Sequence, residues 1–385
     1  MRFRACHLMG KAGPPGSLEN LPNPPQGDLM TAPLERAQAF CARFGLHVPI
    51  LLAPMAGACP PSLSVAVANA GGLGAGGALL MRREAILDWA KEVRSASKGV
   101  FQLNLWMPDP APQRDAAHEA KLREFLASWG PTVPADAGTS TPPDFAAQCE
   151  ALLEAAPPIV SSVMGLYPPE FVAKLKARKI TWFANVSTVG EALAAETAGA
   201  DVIVAQGMEA GGHRGAFEAA EAERRLVGLF ALLPAVVDAV RVPVIATGGI
   251  ADGRGVAAAL ALGASAAQIG TGFLRCPEAK VHKAWADALA KTRPEDTIVS
   301  RAFSGRPGRS IATDYVLAAT APDAPRPAPY PVQRGLTAAM REAGQKANDV
   351  HRMQAWAGQS AALARAEPAA DVVKRIWNEA RAILE

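Results

Sequence analysis

Aromatic residues make up only 6% of this 385-residue chain, and charge is nearly balanced, 39 lysines and arginines against 36 aspartates and glutamates. A net charge of +3 gives no basic face for nucleic acid and no attraction to an acidic membrane surface. Small molecules, anionic ones included, are the partners left to expect. Cysteine is scarce too. Cys6, Cys41, Cys59, Cys149 and Cys276 are odd in number, scattered and without CxxC spacing, which argues against a disulfide framework or a zinc site. No metal is expected, and a reducing cytoplasm is the default location.

Charged side chains are missing altogether from Val48 to Met81, a stretch long enough to raise the question of a membrane span. Pro54, Pro60, Pro61 and several glycines interrupt it, so it reads as strand, loop, helix and strand. The first thirty residues have Pro and Gly clusters and an early arginine-rich start but lack the continuous apolar core of a secretion signal. Disorder is expected there, with Met30 as an alternative to Met1 as the start.

What the chain does have is a repeat of short apolar runs: "PILLA" (49–53), "GLGA" (72–75), "VFQLN" (100–104), "PIVSS" (158–162), "ITWFA" (180–184), "DVIVA" (201–205), "PVIAT" (243–247) and "AAQIG" (266–270). Helical patterns lie between them, around 61–70, 84–97, 142–156, 168–178, 189–199, 226–241 and 253–263. Near-continuous rather than alternating apolar character suits strands buried on both faces of a parallel sheet. Eight such units predict a TIM (β/α)8 barrel. "AGA" and "LGA" ahead of the sixth and eighth runs read as helix C-caps turning into strands.

Two segments fall outside the repeat. Residues 106–141 are Pro-rich around one short helix, an excursion over the barrel mouth. Residues 276–365 read as a mostly helical domain covering the C-terminal face. The expected division is therefore an extension at 1–46, the barrel at 47–275, the covering domain, and a helix within 366–385 that returns to close the barrel.

Function in such a barrel is expected where strands end. There the chain reads "PMAGA", Asn104, "QGMEAGGHRG", "ATGGIADG" and "QIGTGF". Glycine-rich loops expose main-chain N–H groups, and helix N-termini beyond them favour negative charge, so the last three loops suit a phosphate. "GLGAGG" (72–77) matches GxGxxG, but its surroundings lack the strand before and the acid after that a dinucleotide site needs.

With the loops placed, the chain resembles the nitronate monooxygenases, formerly 2-nitropropane dioxygenases, of bacterial class I. The resemblance is carried by "LLAPMAG" with "NAGGLG", "QLNLW", "QGMEAGGHRG", "VPVIATGGIADGRGVAAALALGASAAQIGTGFL", "SRAFSGRPGRS" and "WAGQS". It implies FMN on the C-terminal face and oxidation of a small anionic nitronate by O2. By matching position, Pro54 and Met55 would line the flavin ring, and Asn104 and Gln206 would bond the cofactor. Gly211, Gly212, Gly248, Gly249, Gln268, Ile269, Gly270 and Thr271 would hold ribityl and phosphate. Where the family usually carries Ser-x-His-x-Gly, whose histidine acts as base, this chain has "SSVMG", with Val163 at the imidazole position.

His213 is the available substitute, though its place beside Arg214 in the glycine loop suggests that both neutralise the phosphate or orient the loop. Glu209 is expected to pair with a cation or cap the next helix, and His47 and His282 to lie at the surface or in packing. Ser304, Arg306 and Ser310 are candidates to face the substrate. An NAD(P)H:quinone or enoyl-thioester reductase of the same superfamily would share these loops. A flavin-binding module with little turnover would share them too. No sequence feature fixes an oligomeric state.

Overall fold

The computed structural model describes residues 32–139 and 141–385. The expected disorder and the choice of start thus fall outside the described residues. Eight parallel strands, β1 (Ile50–Leu52), β2 (Gly74–Gly77), β3 (Phe101–Trp106), β4 (Ile159–Val163), β5 (Thr181–Val186), β6 (Val202–Gln206), β8 (Val244–Thr247) and β9 (Ala266–Ile269), form one sheet in the order β1-β9-β8-β6-β5-β4-β3-β2. Leu73, just ahead of β2, joins β1 by Leu52 N–H to Leu73 O (2.8 Å) and Leu73 N–H to Ile50 O (3.1 Å). That closes the barrel.

Burial on both faces explains the apolar runs: all residues of β1, β6, β8 and β9 are buried. The second strand begins two residues later than its sequence suggests. A Cβ at Gly76 would stand 2.7 Å from the Trp89 ring, and one at Gly77 2.6 Å from Ala56 N. These glycines let the strand lie under its neighbours, and no side-chain pattern marks its limits. Gly199 and Gly263, with φ of 95° and 106°, follow the helices before β6 and β9, as "AGA" and "LGA" imply.

One end of the barrel is plugged. Phe40 and Cys41 of α1 (Pro33–Phe44) join Leu51, Ile159, Phe183, Val202 and Ile245 in an apolar cluster at the strand starts. The C-terminal helix α14 (Ala369–Leu384) packs on α9 (Gly253–Ala261). A Cβ on Gly253 would meet Glu379 Cβ at 2.2 Å, so only glycine allows this approach.

The other end is covered by both irregular segments together. Leu122, Leu126 and Val133 from the excursion share a core with Phe303, Tyr315, Val332, Leu336 and Met340. This cover is mostly helical but also contains an antiparallel sheet, β10 (Thr297–Ser300), β11 (Gly308–Ile311) and β7 (Gly212–His213), in that order. Since β7 belongs to the loop after β6, the sheet ties cover to barrel. Among the described residues no helix is long and apolar enough to cross a membrane.

Candidate active site

The strand ends and the cover enclose a cavity of about 400 Å³, within the range of cofactor and small-ligand sites. Its lining includes Pro54, Met55, Asn104, Gln206, Gly211, Gly212, Gly248, Gly249, Gln268, Gly270 and Thr271, as the sequence suggests. Ile269 is an exception. Its side chain belongs to the hydrophobic core, because alternate residues of β9 face opposite ways.

One side of the cavity is a glycine cradle. Gly248 and Gly249 have φ of 112° and 69°, and among the described residues the N–H groups of Gly249 and Gly270 meet no acceptor. Thr271 Oγ1 accepts from Gly358 N–H (3.0 Å), and Gln359 N–H donates to Glu209 O (2.9 Å). The 357–360 segment is thereby sewn to the loops after β6 and β9. Helix α9 starts just beyond Gly249, N-capped by Asp252, which accepts from Gly255 N–H.

The floor carries amides with defined ends. Asn104 Nδ2 donates to Ser161 Oγ (3.0 Å), leaving Oδ1 as an acceptor. Gln102 Nε2 donates to Gln268 Oε1 (3.1 Å), leaving Gln268 Nε2 as a donor. Gln206 is also held by the protein: Oε1 accepts from Gly215 N–H (2.8 Å) and Nε2 donates to His213 O (3.3 Å). Its amide shapes the 207–215 loop. Asn185, at the end of β5, also lines the cavity, and its buried Nδ2 has no partner. It was not visible beforehand, because "NVSTVG" reads as an ordinary turn into a helix.

His213 does not sit as a phosphate counter-charge. Its ring lies between Trp106 and Trp356, at 4.7 and 4.8 Å between centroids, and Nε2 is 2.7 Å from Ser304 Oγ. Ser304 Oγ also reaches Arg306 O (3.2 Å). If its single proton goes to that carbonyl, His213 Nε2–H donates to the serine and Nδ1 keeps its lone pair. Desolvation, with Arg306 and Arg334 nearby, lowers the imidazole pKa from 6.5 to about 3. His213 is therefore neutral at ordinary pH.

This gives a test of the burial. Between pH 6.5 and about 3 the unfolded chain binds a proton at this position that the folded chain refuses. Folded stability therefore falls as the pH drops through that window and is unaffected by this group above it. In His213→Asn, the loss of denaturant midpoint between about pH 7 and about pH 4.5 should be smaller than in the wild type. An equal loss in both proteins would show that the ring is not desolvated.

Of the two roles open to Arg214, its bonds are those of a residue that orients the loop. Its guanidinium donates to Gly207 O (2.9 Å) and Gln206 O (3.1 Å) and is buried behind the loop. Ser304, Arg306 and Ser310 likewise stand behind the cavity wall. Ser304 holds His213, Arg306 pairs with Asp109 (3.0 Å), and Ser310 is fully buried in β11. Glu209 accepts from Leu229 N–H (2.9 Å) and so caps α8 (Leu229–Ala239). His282 is placed differently from expectation: it lines the cavity while its Nδ1 accepts from Ala284 N–H (3.2 Å). His47 is exposed. Val163 does line the cavity at the end of β4. The cover adds Trp285, Arg334, Arg341, Gln354 and Trp356; of these only Trp356, the first residue of "WAGQS", belongs to a motif singled out in the sequence.

Residues 39–379 match the family described as nitronate monooxygenase. The chain belongs to that family. Its members are flavin-dependent oxidoreductases, and the nitronate monooxygenase of Paraburkholderia phytofirmans is 40% identical over 359 residues, 90% of this chain and 96% of that protein. A solved structure of nitroalkane oxidase from Streptomyces ansochromogenes is similar with a TM-score of 0.79 at 35% identity, covering 90% of this chain and 100% of the other. FabK from Thermotoga maritima is similar with a TM-score of 0.68 at 28% identity, covering 90% and 96%.

The residues present fit a flavin. The cradle offers free N–H groups where a branched side chain would intrude, and the floor offers a donor at Gln268 and an acceptor at Asn104. A ring edge and ribityl hydroxyls need both kinds of partner.

Proposed function

We propose that this member of the nitronate monooxygenase family binds FMN and oxidises small anionic alkyl nitronates with O2, with no side chain devoted to deprotonating a neutral substrate. The observation that carries the reading is the make-up of the cavity wall. It contains Arg334, Arg341 and neutral groups but no aspartate or glutamate.

When bound, the flavin supplies electron exchange with the substrate and with O2. Everything else falls to the chain. The loops at Gly211, Gly249 and Gly270 hold the phosphate through backbone N–H groups. Gln268 donates and Asn104 accepts at the polar edge, and Pro54 and Met55 form an apolar wall. Trp106 and Trp356 exclude water around His213.

A nitronate arrives already deprotonated, so Val163 in place of a base costs it nothing. His213 Nδ1 is the ring atom left for proton transfer, yet a pKa near 3 makes it a weak acceptor. Desolvation opposes an ion of either sign there, whereas the positive charges of Arg306 and Arg334, which also oppose an imidazolium, favour an anion.

Release of the cofactor by heat, followed by chromatography, tests the cofactor. FMN is expected, because the loops close around one phosphate and no second phosphate-binding loop follows them. An adenine-containing flavin would contradict the assignment of the loops.

A further inference from the structure

Arg334 lies on α12 (Val332–Leu336), half-buried in the cavity wall. Its carbonyl accepts from Arg341 Nη2 (2.9 Å), but its guanidinium meets no acceptor among the described residues. Arg341 behind it is engaged through each of its three guanidinium nitrogens. It donates to Gln354 Oε1 (2.8 Å) and Thr337 Oγ1 (3.3 Å) as well, and all three of its acceptors are neutral.

The other cations near the site are likewise committed. Arg306 is paired with Asp109, and Arg214 and Arg309 hold backbone carbonyls. With no carboxylate in the lining, the charge on Arg334 has no ion-pair partner among the described residues. Its field reaches the reactive region, since it contributes to the depression of both His213 and Arg341. A guanidinium offers two parallel N–H groups in one plane, a match for two oxygens on one atom. A nitronate group presents its two oxygens in that way.

We infer that Arg334 is the specificity-determining residue of this site, its guanidinium holding the negative end of the substrate while Trp285, Met353 and Leu80 receive the carbon chain. The assignment rests on the nitronate reading for the identity of the anion, but not for its charge. The side chain carries no structural bond, so its replacement leaves the fold and the flavin cradle intact. Arg341 acts as a positioning residue, fixing α12 through the Arg334 carbonyl.

The test compares wild type, Arg334→Gln and Arg334→Lys as flavin-loaded proteins. Nitronate oxidation is followed by O2 consumption, and binding of acetate, a non-reacting anion, by the change in flavin absorption. Removing a charged hydrogen-bonding partner should raise KM roughly 10- to 100-fold in Arg334→Gln, with a smaller change in kcat and unaltered flavin content. Acetate affinity should fall in parallel, and Arg334→Lys should recover part of both. A wild-type KM in Arg334→Gln, or an acetate affinity that is absent in the wild type or unchanged by the substitution, overturns the inference. If the wild type fails to oxidise nitronates yet loses acetate binding in Arg334→Gln, the nitronate reading fails and the anion anchor stands.

Discussion

Gly270→Val should yield a folded protein that has lost its flavin. A Cβ at Gly270 would stand 3.4 Å from Ala53 Cβ and from Met55 Sδ, ordinary contact distances, and the backbone there is not left-handed. The chain itself therefore does not require glycine at this position. The cofactor does, because branched methyl groups would occupy the space where the N–H meets a phosphate oxygen. Each charge-assisted bond lost is worth about 1.5–3 kcal/mol, or at least about tenfold in affinity. Two or three lost together would leave the purified protein colourless. The flavin-to-protein absorbance ratio reads the effect, and thermal melting checks the fold. Gly249→Val should also lose flavin but is less diagnostic: its φ of 69° and a Cβ 3.2 Å from Glu209 Cβ strain the loop as well. A Gly270→Val protein with full flavin content would show that this loop does not touch the cofactor.

The second large effect concerns the proton. The wild type should oxidise preformed nitronates while turning over neutral nitroalkanes poorly at the same pH. Two features of the site lead there. Val163 offers no acceptor at the end of β4, and the His213 imidazole, its pKa lowered to about 3, would become a buried cation beside Arg306 and Arg334 on taking a proton. General-base catalysis contributes about 10²–10⁴-fold, so the ratio of the two activities should shift by that order relative to a relative with histidine at this position. Val163→His should raise turnover of the neutral substrate and leave nitronate turnover nearly unchanged. Equal wild-type rates on both forms, after correction for spontaneous ionisation, would mean that another group supplies the base. Loss of only the neutral activity in His213→Asn, with flavin retained, would identify it.

The barrel was legible because its strands are buried on both faces, and continuous apolar runs separated by amphipathic helices have few other solutions. The limits of β2 were not, since a strand made largely of glycine has no pattern to read. The two-residue β7 and its partner β11, "GRSI", carry glycine and a buried arginine, so neither shows alternation. In the site, the glycine loops could be read because their function lies in the backbone and follows strands of fixed direction. Arg334 and Arg341 could not. They enter the cavity from a cover whose placement depends on long-range packing against the excursion and on β7. His213 and Arg214 show the same limit from the other side: adjacency in "GGHRG" suggested one shared task, but strand geometry sends one ring into the cavity wall and the other side chain behind the loop.

Anaerobic mixing of the flavin-loaded protein with a preformed nitronate, and separately with NADH, tests the proposed reaction most directly. Rapid bleaching of the visible flavin absorption by the nitronate is expected, reversed when O2 is admitted, with slow or no bleaching by NADH. Fast bleaching by NADH and none by the nitronate would contradict it and mark the chain as a flavin reductase; bleaching by neither would leave a flavin-binding module.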